Sequence, residues 1–298
     1  MNPLRRLLQQ EDLNFLLTNR VPRIALTHLM GWYSHLRLPW LTRASIAVWR
    51  CFTDLDLRES RSQRFTSLHD CFTRELVAGA RPIASDSAVL ASPCDAIVGA
   101  CGPVVNGQLF QVKGSPYRIE DLFGPSQDTS PFRDGRFVTL RLTSSMYHRF
   151  HAPHDCEVEH VTYLSGDTWN VNPIALARVE RLFCRNERAV LRARLAQGGQ
   201  PIALVPVAAI LVASIRLHFL DVLLHLRYRG PHEIPVRARF VKGQEMGWFE
   251  HGSTIIVFTP PGFALCDGIE TDARIRMGQA LLSIHAPVTD VAQHRAQT

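Results

Sequence analysis

The pair of residues most suited to chemistry is a serine that directly follows a glycine, Ser253 after Gly252. Glycine has no Cβ atom, so its backbone can take strained conformations and leave its carbonyl open to approach. The Ser253 hydroxyl can attack that carbonyl within the same chain and convert the peptide bond into an ester. A Gly-Ser-Thr segment before an apolar strand is also an ordinary turn, so the pair alone does not identify a reactive site.

A serine hydroxyl is a weak nucleophile and needs a base, for which His148 and His151 are candidates. Imidazole has a pKa near ~6.5 and accepts a proton around neutral pH. On an extended backbone the two side chains would point to opposite faces, whereas on a turn they could converge. Such pairs also occur as surface or core histidines and as metal ligands. Asp95, an acid before a short apolar run, can orient an imidazole or simply form a turn.

Three longer segments around these residues resemble the phosphatidylserine decarboxylase family. Residues 242–257 resemble its processing region, in which Lys-Gly-Glu/Gln-Glu-Met-Gly precedes Gly-Ser-Thr and an apolar strand. Residues 142–153 resemble its Tyr-His-Arg-x-His-x-Pro motif, and residues 92–98 its Pro-x-Asp-Gly-x-Val motif. Shorter matching segments, in the same order along the chain as in the family, extend the resemblance over about residues 65 to 280. They lie at 72–76, 81–83, 113–114, 170–173 and 182–188.

Three residues depart from the family pattern. Ala96 stands where glycine usually follows the acid, His251 where leucine is usual, and Met146 where an aspartate commonly precedes the Tyr-His pair. None of the three replaces the nucleophile, the base or the residue that offers the carbonyl. Self-processing is therefore still expected.

The resemblance implies a precursor that cleaves itself between Gly252 and Ser253, into a large chain of residues 1–252 and a small chain of residues 253–298. Attack by the serine, β-elimination and hydrolysis would leave a covalent pyruvoyl group at the head of the small chain. The pyruvoyl carbonyl would take up the amine of phosphatidylserine and act as an electron sink for the loss of CO₂. The expected product is phosphatidylethanolamine, and no metal is expected.

The same resemblance assigns roles to the candidate residues. Asp95, His151 and Ser253 are expected to form the self-cleavage triad, in which the acid fixes the imidazole tautomer and stabilises its protonated form. His148 is expected to donate the proton that replaces CO₂.

These residues must be positioned by strands. From about residue 88 the sequence alternates short runs of Val, Ile, Leu and Phe with Gly, Pro and Asp turns, which is typical of a β-rich body. Strands are predicted at 97–98, 108–112, 137–142, 157–163, 189–194, 202–215, 237–241 and 254–258, and a helix at 67–76. The expected fold is α+β: a mainly antiparallel β core (residues 65–298) with an N-terminal helical, membrane-associating appendage (residues 1–64).

The appendage has an unusual charge pattern. Residues 13–50 contain five arginines and no acid, interleaved with Trp, Tyr, Phe and Leu at rough helical spacing. This pattern is typical of a helix lying in an anionic membrane surface; packing on the chain's own domain or on a second subunit is the alternative. We expect a peripheral protein on the cytoplasmic face of the cell membrane, with no nucleic-acid partner and with a homodimer left open.

Two further features limit the class of protein. The seven cysteines are odd in number and form no C-x-x-C pair, which argues against a disulfide framework and a structural zinc site. The most apolar run, residues 201–215, is shorter than the ~20 residues that a membrane span needs and holds two prolines. We interpret it as a buried strand.

Two other functions remain compatible with the sequence. One is a membrane-surface module that kept the fold and lost processing, for which an intact chain that binds anionic vesicles would be evidence. The other is a pyruvoyl decarboxylase of a related amino-phospholipid headgroup or a soluble amino acid. CO₂ release from free serine instead of phosphatidylserine would favour it.

Overall fold

The N-terminal region is helical, as predicted. The computed structural model describes residues 10–111, 115–211, 214–250 and 253–284; Gly252, His251 and the matched pair 113–114 lie outside these ranges. The first helices are α1 Glu11–Asn19, α2 Arg23–Ser34 and α3 Pro39–Phe52. Pro39 suits the first position of α3, because an amide hydrogen there would have no partner within the helix.

The other α-helices of the described residues are short: α4 Leu68–Phe72, α5 Ile119–Phe123, α6 Pro173–Arg178 and α7 Leu182–Arg185. Helix α4 begins where the sequence predicts, because the Ser67 hydroxyl accepts a hydrogen bond from the amide of Asp70. It ends four residues earlier than the predicted 67–76. Residues 75 and 77 bond instead to the backbone of residues 59 and 61, which removes them from the helix.

The strands of the described residues confirm a mainly antiparallel β core. They are β1 Val89–Ala91, β2 Ala96–Pro103, β3 Gln108–Phe110, β4 Pro116–Arg118, β5 Arg136–Leu142, β6 Arg149–His151, β7 Cys156–Leu164, β8 Arg188–Leu195, β9 Pro201–Ala208, β10 Ser214–Leu217, β11 Leu223–His225, β12 Glu233–Phe240, β13 Glu245–Phe249, β14 Ser253–Thr259, β15 Phe263–Leu265, β16 Arg274–Ile275 and β17 Ala280–Ile284. Eight form the main sheet in the order β12-β7-β8-β9-β14-β5-β2-β16, with antiparallel neighbours throughout.

Strand β14 lies inside the main sheet and is buried on both faces. It pairs with β9 on one side and β5 on the other. Ile255 and Val257 pack into one hydrophobic cluster, and Ile256 and Phe258 into another. A strand covered on both faces has no polar alternation, which explains the continuous apolar run predicted as a strand at 254–258.

A second sheet, in the order β11-β10-β13-β6, covers the face of β14 that carries Ile255. It corrects one prediction, because the run 202–215 is not a single strand. Strand β9 belongs to the main sheet and β10 to the covering sheet. The chain turns between them at Leu211, which takes a positive φ of 69°. Both strands are buried, so hydrophobicity alone does not reveal the corner.

The N-terminal helices pack against the β core through polar and aromatic contacts. Arg23 of α2 forms an ion pair of 2.6 Å with Asp167 and lies 3.7 Å above the Trp169 ring. Trp49 of α3 stacks on Phe72 of α4 at 5.7 Å between ring centroids. Because α4 lies beside the site described below, these contacts connect the helices to it.

Within the described ranges, no helix combines the length and apolarity needed to cross a bilayer. All seven cysteines lie in those ranges, and none is disulfide-bonded.

Candidate active site

Backbone hydrogen bonds bring the three matched segments together. The His151 amide donates to the carbonyl of Pro93 at 2.8 Å, which joins residues 142–153 to residues 92–98. The Phe249 amide donates to the carbonyl of His148 at 3.0 Å, which joins residues 142–153 to residues 242–257. Segments far apart in sequence therefore form one site.

Ser253 is the first residue of β14 and is completely buried. It lies directly opposite Leu142 of β5 and Ala208 of β9. Its Oγ has no hydrogen-bond partner among the described residues. Leaving a buried hydroxyl unpaired costs about 1–3 kcal/mol, and such groups are uncommon in folded proteins. Ser253 thus offers an unpaired hydroxyl at the start of a rigid strand, as the neighbouring Thr254 also does; the carbonyl of Gly252 lies outside the described residues.

His148 lies on the connection from β5 to β6 and is also completely buried. Its Nδ1 lies 2.8 Å from the carbonyl oxygen of Met146, which can only accept, so Nδ1 carries the proton. In the neutral ring Nε2 then holds the lone pair. The ring lies 4.0 Å from that of Phe72, which fixes its orientation.

His151 has the same tautomer, held by a different carbonyl. Its Nδ1 donates to the carbonyl of Gly243 at 3.0 Å, and its Nε2 accepts from the Tyr147 hydroxyl at 3.0 Å. Burial lowers the pKa of His151; the Gly243 carbonyl and the charges of Glu245 and Asp95 oppose this shift. The result is a neutral imidazole with a basic Nε2.

Asp95 is held by an arginine. Arg81 donates to both carboxylate oxygens, at 2.8 and 2.5 Å, and the Met277 amide donates to Oδ1 at 2.9 Å. Among the described residues no hydrogen bond links Asp95 to His151, or His151 to Ser253. The predicted triad is therefore not connected by hydrogen bonds in the described residues, and Asp95 affects His151 only through its charge, which opposes the lowering of the His151 pKa.

Two arginines support the segment that carries the histidines. Arg74 is buried and donates to the carbonyl of Ser145 at 3.0 Å; burial lowers the pKa of its guanidinium. Arg149 donates to the carbonyl of Thr73 and to Glu245, both at 2.8 Å. These bonds tie α4 and β13 to the histidine segment and limit its movement.

Reasoning from sequence did not identify three residues at this site: Tyr147, Arg81 and Glu187. Tyr147 and Arg81 are the partners of His151 and Asp95 described above. Glu187 is completely buried and bonded to the Tyr163 hydroxyl. Each lies in a segment that resembles the family, which was the available signal. Only the hydrogen bonds in the folded structure distinguish these three residues from the other residues of the same segments.

A cavity of about 740 Å³ lies between the N-terminal helices and the β core. Its wall includes Leu142, the sheet neighbour of Ser253, and Phe72, the ring neighbour of His148. Most of the lining is apolar, and Arg141 adds a cation. The cavity can therefore receive an apolar molecule with an anionic group, and its wall reaches Leu142, the residue paired with Ser253 in the sheet.

One group of described residues has the types that could bind a metal ion. Ligand atoms of His35, His69 and Glu250 lie within 4.8 Å of one another. Tetrahedral zinc with bonds of about 2.1 Å needs ligand atoms closer than about 3.5 Å. The 4.8 Å limit on the separations in this group is wider than that spacing.

Comparison with known proteins assigns the family. The family model described as phosphatidylserine decarboxylase matches residues 68–283, a stretch that includes Asp95, His148, His151 and Ser253. This chain belongs to the phosphatidylserine decarboxylase family. The match covers the β core and begins at α4.

Curated relatives agree with the family model over almost their whole length. The phosphatidylserine decarboxylase proenzyme of Aliivibrio fischeri (strain MJ11) is 34% identical over 272 residues, which cover 86% of this chain and 93% of the relative. The proenzyme of Pseudomonas aeruginosa is 33% identical, covering 88% and 93%. That of Brevibacillus brevis is 32% identical, covering 89% and 95%. All three of these relatives are named as proenzymes.

Proposed function

We propose that this chain is the precursor of a phosphatidylserine decarboxylase, which cleaves itself at Ser253 and then converts phosphatidylserine into phosphatidylethanolamine and CO₂. The observation that carries the proposal is the Ser253 hydroxyl, buried and without a hydrogen-bond partner among the described residues, at the start of β14. It occupies the processing position of a family whose relatives are named proenzymes.

Self-cleavage would start with Oγ of Ser253 attacking the carbonyl carbon of Gly252, while the C–N bond breaks and the serine nitrogen gains a proton. Loss of the Cα proton of residue 253 then breaks the ester C–O bond and releases residues 1–252. Water displaces the nitrogen as ammonia and leaves a keto group heading residues 253–298. In this proposal Nε2 of His151 is the base, and the charge of Asp95 favours its protonated form.

The sheet gives a reason why the two chains would stay together. All seven residues of β14 pair with β5, and six pair with β9. The new terminus would therefore remain hydrogen-bonded on both sides after the cut. The large and small chains act as one folded unit in this proposal.

The surroundings of Ser253 fit a pyruvoyl group. The side chains flanking it in the sheet are those of Leu142 and Ala208, and the group is uncharged, so it can be buried without a counter-ion. A pyruvoyl group supplies an electron-withdrawing carbonyl that stabilises negative charge when CO₂ leaves. His148 keeps one proton at Nδ1, bonded to the Met146 carbonyl; its Nε2 would first take up a second proton and then deliver it to the carbon that lost CO₂.

The cavity beside Ser253 suits a phospholipid. Its apolar wall, formed by α2–α4 and the β core, matches acyl chains, and Arg141 offers a cation for an anionic headgroup. Arg141 precedes Leu142 in β5 and lies opposite Thr254, so its side chain projects to the other face of the sheet from that of Ser253. The headgroup would then lie at the reactive end and the acyl chains under the helices.

The outer face of the helices suits an anionic membrane surface. Trp32, Trp40, Leu29 and Ile24 are exposed there, in a region with five arginines and no acid between residues 13 and 50. Aromatic and aliphatic side chains beside arginines bind at the headgroup boundary of anionic bilayers. We propose peripheral attachment to the cytoplasmic face of the membrane, with the cavity close to its lipid source.

Mass spectrometry of the purified protein tests self-cleavage directly. The expected result is two chains, residues 1–252 and residues 253–298, with a carbonyl-reactive group on the smaller one. The Ser253→Ala variant should give one intact chain and no CO₂ from phosphatidylserine, because it has no hydroxyl to attack the peptide bond. Ser126→Ala, which changes an exposed serine on the surface, is the matched control and should behave like the unsubstituted protein.

An unsubstituted chain that stays intact on long incubation would contradict the proposal. A cleaved protein that releases CO₂ from free serine but not from phosphatidylserine would support the proposed self-cleavage. It would contradict phosphatidylserine as the substrate.

A further inference from the structure

Glu187 lies in the same row of the main sheet as Ser253. Ala208 lies opposite Ser253, and the amide of Ala208 donates to the carbonyl of Glu187 at 2.8 Å. Residues opposite one another in a sheet project to the same face. The neighbours two residues along, Ala189 and Ile255, pack into one hydrophobic cluster with Ala208, which identifies that face as the one under the covering sheet. Only the Ala208 methyl group stands between Glu187 and Ser253 in this row.

The Tyr163 hydroxyl can donate to Oε1 of Glu187 or, when the carboxyl group of Glu187 is protonated, accept a hydrogen bond from it. The Tyr163 hydroxyl lies 2.9 Å from Oε1 of Glu187 and 2.7 Å from the carbonyl oxygen of His225. A hydroxyl has one proton, and the carbonyl can only accept. Both contacts are hydrogen bonds at once when Tyr163 donates to His225 and Glu187 donates to Tyr163. The second carboxyl oxygen, Oε2, is buried and has no partner among the described residues.

Burial also favours the neutral acid. It raises the pKa of Glu187 to about 8, against a smaller lowering by Tyr163. The groups facing Glu187 through Tyr163 are the rings of Tyr228 and His232 and the carbonyl of His225. The neighbouring cation, Arg188, is bonded to backbone carbonyls of Leu122 and other residues. Glu187 is therefore a carboxylic acid at neutral pH.

We propose that Glu187, as a neutral acid, hydrogen-bonds the carboxylate of the substrate headgroup held at position 253. The proposal rests on the proposed function, which places the reacting group at that residue. When Tyr163 turns its proton from the His225 carbonyl to Oε1, the Glu187 proton moves to Oε2, which has no partner among the described residues. A neutral acid can donate to the substrate carboxylate, whereas an ionised glutamate would repel it.

The spacing of Glu187, Ala208 and Ser253 in this row suits the carboxylate of a headgroup held between Glu187 and Ser253. Neighbouring strands lie about 4.8 Å apart, so Glu187 and Ser253 are about 10 Å apart at their Cα atoms. The two side chains, with a headgroup between them, span such a gap over the small Ala208. The carboxylate would meet a hydrogen-bond donor in an otherwise apolar layer.

The test compares the unsubstituted protein with Glu187→Gln, whose amide can donate but cannot ionise. CO₂ release from phosphatidylserine in mixed micelles is measured between pH 6.5 and 9. Above pH 8 the KM of the unsubstituted protein should rise about tenfold or more as Glu187 ionises, because a charge-assisted hydrogen bond is replaced by repulsion. The KM of Glu187→Gln should stay flat, with kcat little changed in both.

Inhibition by phosphatidylethanolamine is the matched control, because this lipid has no headgroup carboxylate. Its inhibition constant should show no such rise with pH in either protein. Glu187→Leu should raise KM about ten- to hundredfold at pH 7, because it cannot donate a hydrogen bond.

Four outcomes would overturn the proposal. The first is a KM of Glu187→Gln that rises above pH 8 as much as that of the unsubstituted protein, and the second is an equal rise in the inhibition constant of phosphatidylethanolamine. The third is an unchanged KM at pH 7 in a folded Glu187→Leu protein. The fourth is a Glu187→Gln chain that folds without cleaving. The last would assign Glu187 to self-cleavage instead. An unsubstituted protein that neither cleaves nor decarboxylates would contradict the proposed function itself, and this inference with it.

Discussion

His148 and His151 have the same tautomer but lie in different surroundings. Both donate from Nδ1 to a backbone carbonyl, of Met146 and Gly243 respectively, so Nε2 is the basic atom in each neutral ring. A carbonyl fixes a tautomer as a carboxylate does, but it stabilises the imidazolium less, because it carries no full charge. For His151 this agrees with the lowered pKa that burial causes. Two bases of similar geometry can therefore serve different steps.

Substituting His148 should separate those steps. His148→Ala should still cleave at Ser253, since His151 remains, but its kcat for decarboxylation should fall at least about a hundredfold, because general acid catalysis contributes 10²- to 10⁴-fold. Cleavage is followed on a denaturing gel and turnover by CO₂ release.

His160→Ala is the control for removing a histidine, because His160 is half-buried on β7, where it pairs with Glu233. It should keep both activities. A cleaved His148→Ala protein with normal kcat would remove His148 from the mechanism.

At the scale of elements, β14 carries the site and holds the core. Its side chains face both hydrophobic clusters, and its backbone joins β5 to β9. The strand therefore fixes Ser253 in a position that local turn geometry alone would not hold. The histidine segment is fixed in turn by Arg74 and Arg149.

Ile255→Ala should weaken this strand. Ile255 is completely buried, and truncating such a side chain leaves a cavity that costs about 2–5 kcal/mol of the free energy of unfolding. Urea unfolding measures the loss, in a Ser253→Ala background so that the chain stays uncut.

Val241→Ala is the matched truncation at a side chain that is 64% exposed, and should change the free energy of unfolding by less than about 0.5 kcal/mol. An equal loss in the two variants would show that β14 has no special part in stability.

At the scale of the whole molecule, the N-terminal helices have two different faces. One packs on the β core through Arg23 and Trp49 and closes the cavity. The other exposes Trp32 and Trp40, which are 63% and 69% accessible. The same helices can thus cover the substrate cavity and contact a lipid surface.

Replacing both exposed tryptophans should weaken binding to membranes. Trp32→Ala with Trp40→Ala should reduce affinity for vesicles containing phosphatidylserine at least tenfold, because interfacial binding scales with the apolar area inserted. Vesicle sedimentation at low and high salt measures it, and salt should weaken the remaining arginine-driven binding.

Val105→Ala with Val241→Ala removes exposed apolar side chains from the β core instead and should bind as the unsubstituted protein does. Equal loss in the two double variants would contradict a specific membrane face on the helices.

The local features of the fold follow from the amino-acid sequence. The apolar run of β14, the helical character of residues 10–52 and the capping of α4 by Ser67 follow from the order of side chains, because each depends on near neighbours. The motif segments also indicated Ser253 and the two histidines as candidates, through their resemblance to a family.

The long-range contacts depend on the assembled tertiary structure. The corner between β9 and β10, the pairing of Asp95 with Arg81 and the row that joins Glu187 to Ser253 all depend on which strands lie side by side. The physical reason is that burial and partners, which determine whether a carboxyl group is charged or neutral, come from residues distant in sequence. Glu187 is buried and lies in the same row of the main sheet as Ser253 only when the strands assemble.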